Sequence, residues 1–94
     1  MRRAAKVDSN QTAIVAALRD IGCSVLPMHT LGKGAPDLAV GRDGRTYFLE
    51  CKDGNKPPSR RKLTEDESAF HRMWRGHLAI VESIEDALRV VLAR

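Results

Sequence analysis

The chain has few of the residues that build disulfide frameworks and zinc sites. Only two cysteines occur among its 94 residues, Cys23 and Cys51, and no Cys-x-x-Cys pair is present. This argues against a disulfide-rich scaffold and against a zinc site made from paired cysteines. Both cysteines fall in predicted strands. Since no disulfide framework is indicated, we expect reduced thiols in a cytoplasmic protein.

Long apolar runs are also lacking, and aromatic residues make up only 4% of the sequence. No apolar stretch approaches the ~20 residues of a membrane span, so we expect no membrane association. The N-terminus is basic but has no apolar segment behind it, which argues against a signal peptide. We expect residues 1–7 to form a flexible basic arm and residues 8–94 to form one small domain.

The excess of positive charge is small, with a formal net charge of +4 from 16 basic and 12 acidic residues. Such a balance permits a nucleic-acid partner without requiring one. The distribution is more informative, because residues 52–62 contain five basic residues and one acidic residue. This charge run is either a phosphate-binding surface or a solvated loop.

Hydrophobic periodicity and capping signals predict the order α-β-β-β-α-β-α in an α/β fold. The first helix starts at an Asp8 or Ser9 cap and runs to about Ile21. The capping boxes Thr64-x-x-Glu67 and Ser83-x-x-Asp86 open the other two helices. We expect strands over residues 23–28, 36–41, 45–52 and 78–81, the last one buried on both faces. An Asp-Gly turn joins the second and third strands.

Two carboxylates and a lysine are predicted to meet on one face of this hairpin. Glu50 and Lys52 point to the same side of their strand, since side chains alternate, and Cys51 points to the other side. Asp37 stands on the neighbouring strand, where it can approach Glu50. Paired carboxylates repel unless a cation lies between them, and hard oxygen ligands favour Mg²⁺ or Mn²⁺. This arrangement suits metal-assisted cleavage of a phosphodiester.

The Pro-Asp and Glu-x-Lys motifs resemble those of the PD-(D/E)XK nuclease superfamily. A longer ordered series is similar to the small viral VRR-NUC (virus-type replication-repair nuclease) domains, and the similarity extends over roughly residues 8–92. The segments that carry it are Gly34–Leu38, Val40–Gly41, Gly44–Arg45, Leu49–Gly54, Pro57–Ser59, Leu63–Thr64 and Trp74–Gly76. The resemblance implies a restriction-endonuclease-like fold, a mixed sheet flanked by helices.

The resemblance also implies a set of site residues. Asp37, Glu50 and Lys52 would be catalytic, and Asp37, Glu50 and the backbone carbonyl of Cys51 would hold Mg²⁺ or Mn²⁺. Related nucleases carry an acidic residue on the first helix, where this chain has Gln11, which would be a weaker metal ligand. Glu67 stands where VRR-NUC domains often have glutamine. The charge run gives a separate prediction: because it follows the Glu-x-Lys strand directly, the predicted DNA-binding residues are Lys56, Arg60, Arg61 and Lys62, with Lys33 of the glycine loop available to a phosphate.

Each of these assignments has a plainer alternative. Glu50 and Lys52 would also suit the solvent face of a strand, and Gln11 would also suit a capping box with Asp8. Glu67 would simply cap its helix. Trp74 and Phe70 are spaced to form the buried face of the second helix, with base stacking as the other interpretation of Trp74. His29 and His71 are expected to be surface or packing residues.

These features predict a metal-dependent DNA endonuclease that hydrolyses phosphodiester bonds. The resemblance implies branched, flapped or four-way DNA as the candidate substrates. The resemblance further implies a homodimer and a phage protein acting in the cytoplasm of a bacterial host. The alternative is a non-catalytic nucleic-acid-binding module of a viral replication or packaging complex.

Overall fold

The structure, a computed structural model, describes residues 10–93. Its helices and strands are α1 Gln11–Asp20, β1 Ser24–Pro27, β2 Leu38–Arg42, β3 Arg45–Cys51, α2 Glu65–Met73, β4 His77–Val81 and α3 Ile84–Leu92. The predicted order is confirmed, with one added 3₁₀ turn at Pro58–Arg60. The predicted arm over residues 1–7 and the caps Asp8 and Ser9 lie outside the described residues.

The four strands form one mixed sheet in the order β1-β2-β3-β4. β1, β2 and β3 are antiparallel neighbours, and β4 runs parallel to β3. Asp43 and Gly44 join β2 to β3 with φ values of 52° and 77°, the left-handed pair that a tight two-residue hairpin requires. This turn sets Leu38 opposite Leu49. Asp37, one residue earlier, therefore lies opposite Glu50.

One face of the sheet carries the hydrophobic core. Tyr47, Leu49 and Cys51 alternate along β3 and are buried on this face. α1 and α3 pack over it and against each other. The core is completed by Ile14, Leu18, Cys23, Leu38, Val40, Val81, Ala87 and Val91. Packing is the role predicted for the Cys51 side chain, and both cysteines are buried thiols.

The other face, which carries Phe48, Glu50 and Lys52, is covered less completely. α2 lies on this face through the rings of Phe70 and Trp74, and the Phe48 and Trp74 ring centroids are 4.7 Å apart. Trp74 is nevertheless 38% exposed, and no described residue of α2 is buried. Phe70 and Trp74 thus pack on the sheet through Phe48, but the predicted burial of this side of the helix is wrong, because it stays partly exposed.

The prediction that the last strand is buried on both faces is also wrong. β4 forms one edge of the sheet, and Ile80 is 44% exposed. Its apolar sequence reflects the core on one side, where Val81 is fully buried. Within residues 10–93 no helix is both long and apolar enough to cross a membrane.

Candidate active site

Asp37 and Glu50 meet where β2 begins and β3 ends. The backbone amide of Cys51 donates a 2.8 Å hydrogen bond to Oδ2 of Asp37, which fixes the Asp37 carboxylate against the end of β3. The Glu50 side chain is only 2% exposed. The hairpin register thus brings the two carboxylates together at the edge of the α2-covered face.

Lys52 lies on the same face, two residues after Glu50. Its ammonium Nζ is 3.6 Å from Oε2 of Glu50 and 3.1 Å from Oε1 of Glu67, and its side chain is 12% exposed. The two carboxylates hold the ammonium between them and so fix its position. The site therefore contains a positive charge directed at the carboxylate pair.

Glu67 is a member of this group that sequence reasoning assigned only to helix capping. The capping box is present: Thr64 Oγ1 accepts from the Glu67 amide at 3.1 Å, and Glu67 Oε1 accepts from the Thr64 amide at 2.9 Å. The same oxygen also accepts from Lys52 Nζ. The place of Glu67 in the VRR-NUC pattern was the one sequence signal for this second contact.

A glycine close-packed against α2 explains how Glu67 reaches the site. Gly34 has a φ of +80°, and a Cβ there would lie 2.8 Å from the Glu67 amide nitrogen and would clash with the Asp66 carbonyl. Only glycine permits this approach. Because Asp37 follows Gly34 by three residues, the same contact brings the first turn of α2 and the start of β2 together.

The electrostatics of the group are dominated by burial and by repulsion between carboxylates. Burial, with repulsion from Asp37 and Glu67, raises the pKa of Glu50 to about 9. Burial also raises the pKa of Asp37, although the Cys51 amide opposes the shift. For Glu67 the effect of burial is outweighed by the Thr64 amide and Lys52, which hold its pKa below its ordinary value. The protein alone therefore disfavours full ionisation of this group.

Buried side-chain oxygens of Glu50 and Gln11 lack hydrogen-bond partners among the described residues, as does Oδ1 of Asn10. Neither Oε1 of Glu50 nor Oε1 of Gln11 accepts a hydrogen bond from any described residue. Leaving such atoms unsatisfied is costly, so they mark a place for a ligand. In residues 10–93 no three histidine, cysteine, aspartate or glutamate side chains form a group that could hold a metal ion. An ion here would need ligands of other kinds, such as an amide oxygen or a backbone carbonyl.

Gln11 begins α1, and its side chain is only 4% exposed. Asn10 is the N-cap, so Gln11 is the first helical residue and not the third, where a capping box requires it. Asn10 makes no side-chain cap. Its Nδ2 donates to the carbonyls of Lys52 and Glu82, at 3.0 and 3.1 Å. These bonds place the start of α1 against the end of β3, next to Glu50.

The predicted DNA-binding residues divide into two groups. Lys33, Arg60 and Lys62 are exposed, and Lys56 is half-buried. Arg61 is bound instead by Glu82, whose two carboxylate oxygens are 3.1 and 3.2 Å from Nη1. This ion pair ties the loop after β3 to the segment between β4 and α3. Arg61 thus has a partner within the chain.

The two histidines that were expected to be surface or packing residues border the site. Burial lowers the pKa of His71, whose charge interactions are with Glu67 and Lys52. His29 follows Met28, whose amide donates to the Asp37 carbonyl at 2.6 Å. His29 Nδ1 and His71 Nε2 are buried without a hydrogen-bond partner in the described part of the chain.

Comparison with known proteins finds a similar solved structure. No protein-family model matches the sequence, and no curated protein does either. A solved structure described as a VRR_NUC domain is similar over 96% of this chain and 98% of its own, with a TM-score of 0.59 and 26% identity. The fold predicted from the motifs is therefore confirmed as that of a VRR_NUC domain, and the similarity indicates a nuclease-type domain.

Proposed function

We propose that this chain, which has the fold of a VRR_NUC domain, is a metal-dependent endonuclease that hydrolyses phosphodiester bonds in DNA. The main support is structural: Asp37, Glu50 and Lys52 lie together, and one buried oxygen of Glu50 has no hydrogen-bond partner among the described residues. Lys52 contacts only one oxygen of the buried Glu50 carboxylate, and leaving the other oxygen unsatisfied is costly for stability. A ligand that binds this oxygen would offset that cost.

The charge balance of the group supports a divalent cation as that ligand. Asp37, Glu50 and Glu67 contribute three carboxylates that interact with one another, and Lys52 contributes one ammonium. When ionised, these four groups carry a net charge of about −2, which a divalent cation neutralises. The donors are hard oxygens, the type that Mg²⁺ and Mn²⁺ prefer.

The residues that would hold the ion are Asp37, Glu50 and the backbone carbonyl of Cys51, with the Gln11 amide oxygen as a fourth ligand. Gln11 adds no charge, so its contribution is weaker than that of an acid. A divalent ion in this position supplies Lewis-acid polarisation of a phosphoryl oxygen and a more acidic water.

The chain's own side chains have distinct tasks in the reaction. Asp37 is held in place by the Cys51 amide, which sets the position of its carboxylate. Lys52 orients the attacking water or stabilises the charge that develops on the phosphate. Glu67 holds the Lys52 ammonium by a 3.1 Å contact. The exposed Lys33, Arg60 and Lys62, with Lys56, bind the DNA backbone without reading sequence.

The proposal includes a homodimer that acts on branched, flapped or four-way DNA within the cytoplasm of a phage-infected bacterium. The homodimer is supported by the exposed apolar surface on the face that carries α2, where Met73 is 60% and Ile80 44% exposed. Such surfaces mark protein interfaces. Two sites in a symmetric dimer could cut two strands.

Cleavage of a DNA panel tests the function directly. Single-stranded, duplex, flapped and four-way DNAs are incubated with the protein in Mg²⁺, in Mn²⁺ and in EDTA. We expect cleavage with either ion and none in EDTA. Asp37→Ala, Glu50→Ala and Lys52→Ala should each lower the rate about a hundredfold or more. DNA binding without cleavage in any condition would favour the alternative, a non-catalytic nucleic-acid-binding module.

A further inference from the structure

A cavity of about 360 Å³ opens between α1 and the end of β1. Its walls combine apolar surface with planar polar groups. Val15, Ala16 and Pro27 line the apolar part of the cavity. Gln11, Arg19 and His29 supply its polar groups.

Two hydrogen bonds place this cavity beside the candidate active site. The Met28 amide donates to the Asp37 carbonyl, so the segment that contains Pro27 and His29 runs alongside Asp37. Asn10 joins the start of α1 to the Lys52 carbonyl. Gln11, the proposed amide ligand of the ion, also lines the cavity. The cavity and the ion site thus share a wall.

The chemistry of the lining suits a nucleobase. Imidazole and guanidinium planes stack on bases, and here they are His29 and Arg19. A hydrogen bond from Nη2 of Arg19 to the Val25 carbonyl, 3.2 Å long, holds the guanidinium near β1. If the Gln11 oxygen serves the ion, its NH₂ group is left to donate to an acceptor on a base edge. Val15 and Pro27 offer apolar contact to the flat face of a ring.

We propose that this cavity takes one unpaired nucleobase of the strand whose phosphate is cleaved. The inference rests on the proposed function and specifies its substrate. The volume lies near the lower end of the ~300–1,000 Å³ found for ligand pockets, which suits a single nucleotide and not a duplex. A stacked and paired base cannot enter without leaving the helix, so flaps and branch points are the favoured substrates.

Binding in EDTA tests the cavity without cleavage and without metal. Three labelled DNAs are compared: a fully paired duplex, the same duplex with a single-stranded flap, and the same flap built from abasic residues. The protein variants are Ala16→Leu, which adds volume to the cavity, and Ala13→Leu as the matched control. Both alanines are exposed on α1, and Ala13 does not line this cavity. Leucine is a good helix former, so both variants should fold.

Wild type should bind the normal flap more tightly than the abasic flap. Ala16→Leu should weaken binding to the normal flap at least about fivefold relative to Ala13→Leu, which is the scale of stacking on a single base. Both variants should bind the duplex and the abasic flap as wild type does.

Three results would overturn the inference. These are equal binding of the normal flap by the two variants, an equal loss of affinity for all three DNAs, and no preference of wild type for the normal flap. Sedimentation of the DNA-free variants gives a further contradicting result. If Ala16→Leu alone changes the oligomeric state, the cavity is a protein interface and not a nucleobase site. Failure of wild type to cleave flaps in Mg²⁺ would instead contradict the nuclease function, and the binding differences would be judged separately.

Discussion

At the scale of single residues, Glu67 joins helix formation to the candidate site. One carboxylate oxygen accepts from both the Thr64 amide and Lys52 Nζ, so the capping of α2 and the position of the ammonium depend on the same atom. A lysine side chain is otherwise costly to fix, because it loses considerable rotamer freedom when it is ordered. Glu67 supplies this ordering.

We predict that Glu67→Ala lowers DNA cleavage about tenfold or more, because Lys52 loses the acceptor that positions it. Glu67→Gln should retain activity within a few fold, since its amide oxygen accepts the same two hydrogen bonds. Single-turnover rates in Mg²⁺ measure the effect. Glu65→Ala, an exposed residue in the same helical turn, is the control. Equal activity of Glu67→Ala and the control would remove Glu67 from the site.

At the scale of elements, the loop after β3 contains two kinds of basic residue that the sequence alone does not separate. Arg61 is held by Glu82, and its neighbours Arg60 and Lys62 remain exposed. The charge run allows two interpretations of the loop as a whole, either a phosphate-binding surface or a solvated loop. The structure instead gives it an internal anchor flanked by exposed cations.

We therefore predict different outcomes for the two kinds of residue. Arg60→Ala combined with Lys62→Ala should weaken binding to all DNA sequences alike and reduce the log–log salt slope by roughly 0.9 for each duplex phosphate that the protein no longer neutralises. Arg61→Ala should chiefly lower thermal stability, because it leaves Glu82 without this partner. DNA affinity across a salt series and melting temperatures distinguish them. An unchanged slope in the double variant would make these residues solvated surface.

Local signals in the sequence were sufficient to predict most of the helices, strands and turns. Asp43-Gly44 fixes a hairpin turn, and Thr64 with Glu67 fixes the start of α2, because these preferences depend on a few adjacent residues. The exposure of β4 could not be predicted in this way. The apolar sequence of β4 matches a central strand, and only the sheet order places it at an edge. Burial depends on which elements pack together, and local sequence does not determine that.

In the candidate site, too, local sequence predicted some features, and others depend on contacts between distant segments. Strand alternation and the hairpin were enough to place Asp37, Glu50 and Lys52 on one face. The contact of Gly34 with the first turn of α2 joins segments about thirty residues apart, so no local pattern indicates that Glu67 reaches Lys52. The anchoring of Arg61 by Glu82 is a long-range interaction of the same kind.

At the scale of the whole molecule, the uneven covering of the sheet predicts self-association. Met73 and Ile80 are exposed on the face that carries α2. We expect Met73→Lys and Ile80→Lys each to convert a dimer to a monomer, because an interface charge loses its hydration without gaining a partner. Leu92→Lys, 47% exposed on α3, is the matched control. Sedimentation equilibrium measures the mass, and a monomeric wild type would contradict the proposed dimer.

We propose above all that the Asp37 and Glu50 carboxylates hold a divalent ion. Calorimetric titration of Mg²⁺ and Mn²⁺ into the DNA-free protein tests this most directly. Asp37→Asn and Glu50→Gln keep the side-chain shape and remove the charge. Asp43→Asn, at an exposed turn position with positive φ that asparagine tolerates, is the control. We predict binding by wild type and Asp43→Asn, and affinity at least about tenfold weaker in the two site variants. No binding by wild type, or equal binding by Glu50→Gln, would contradict the account.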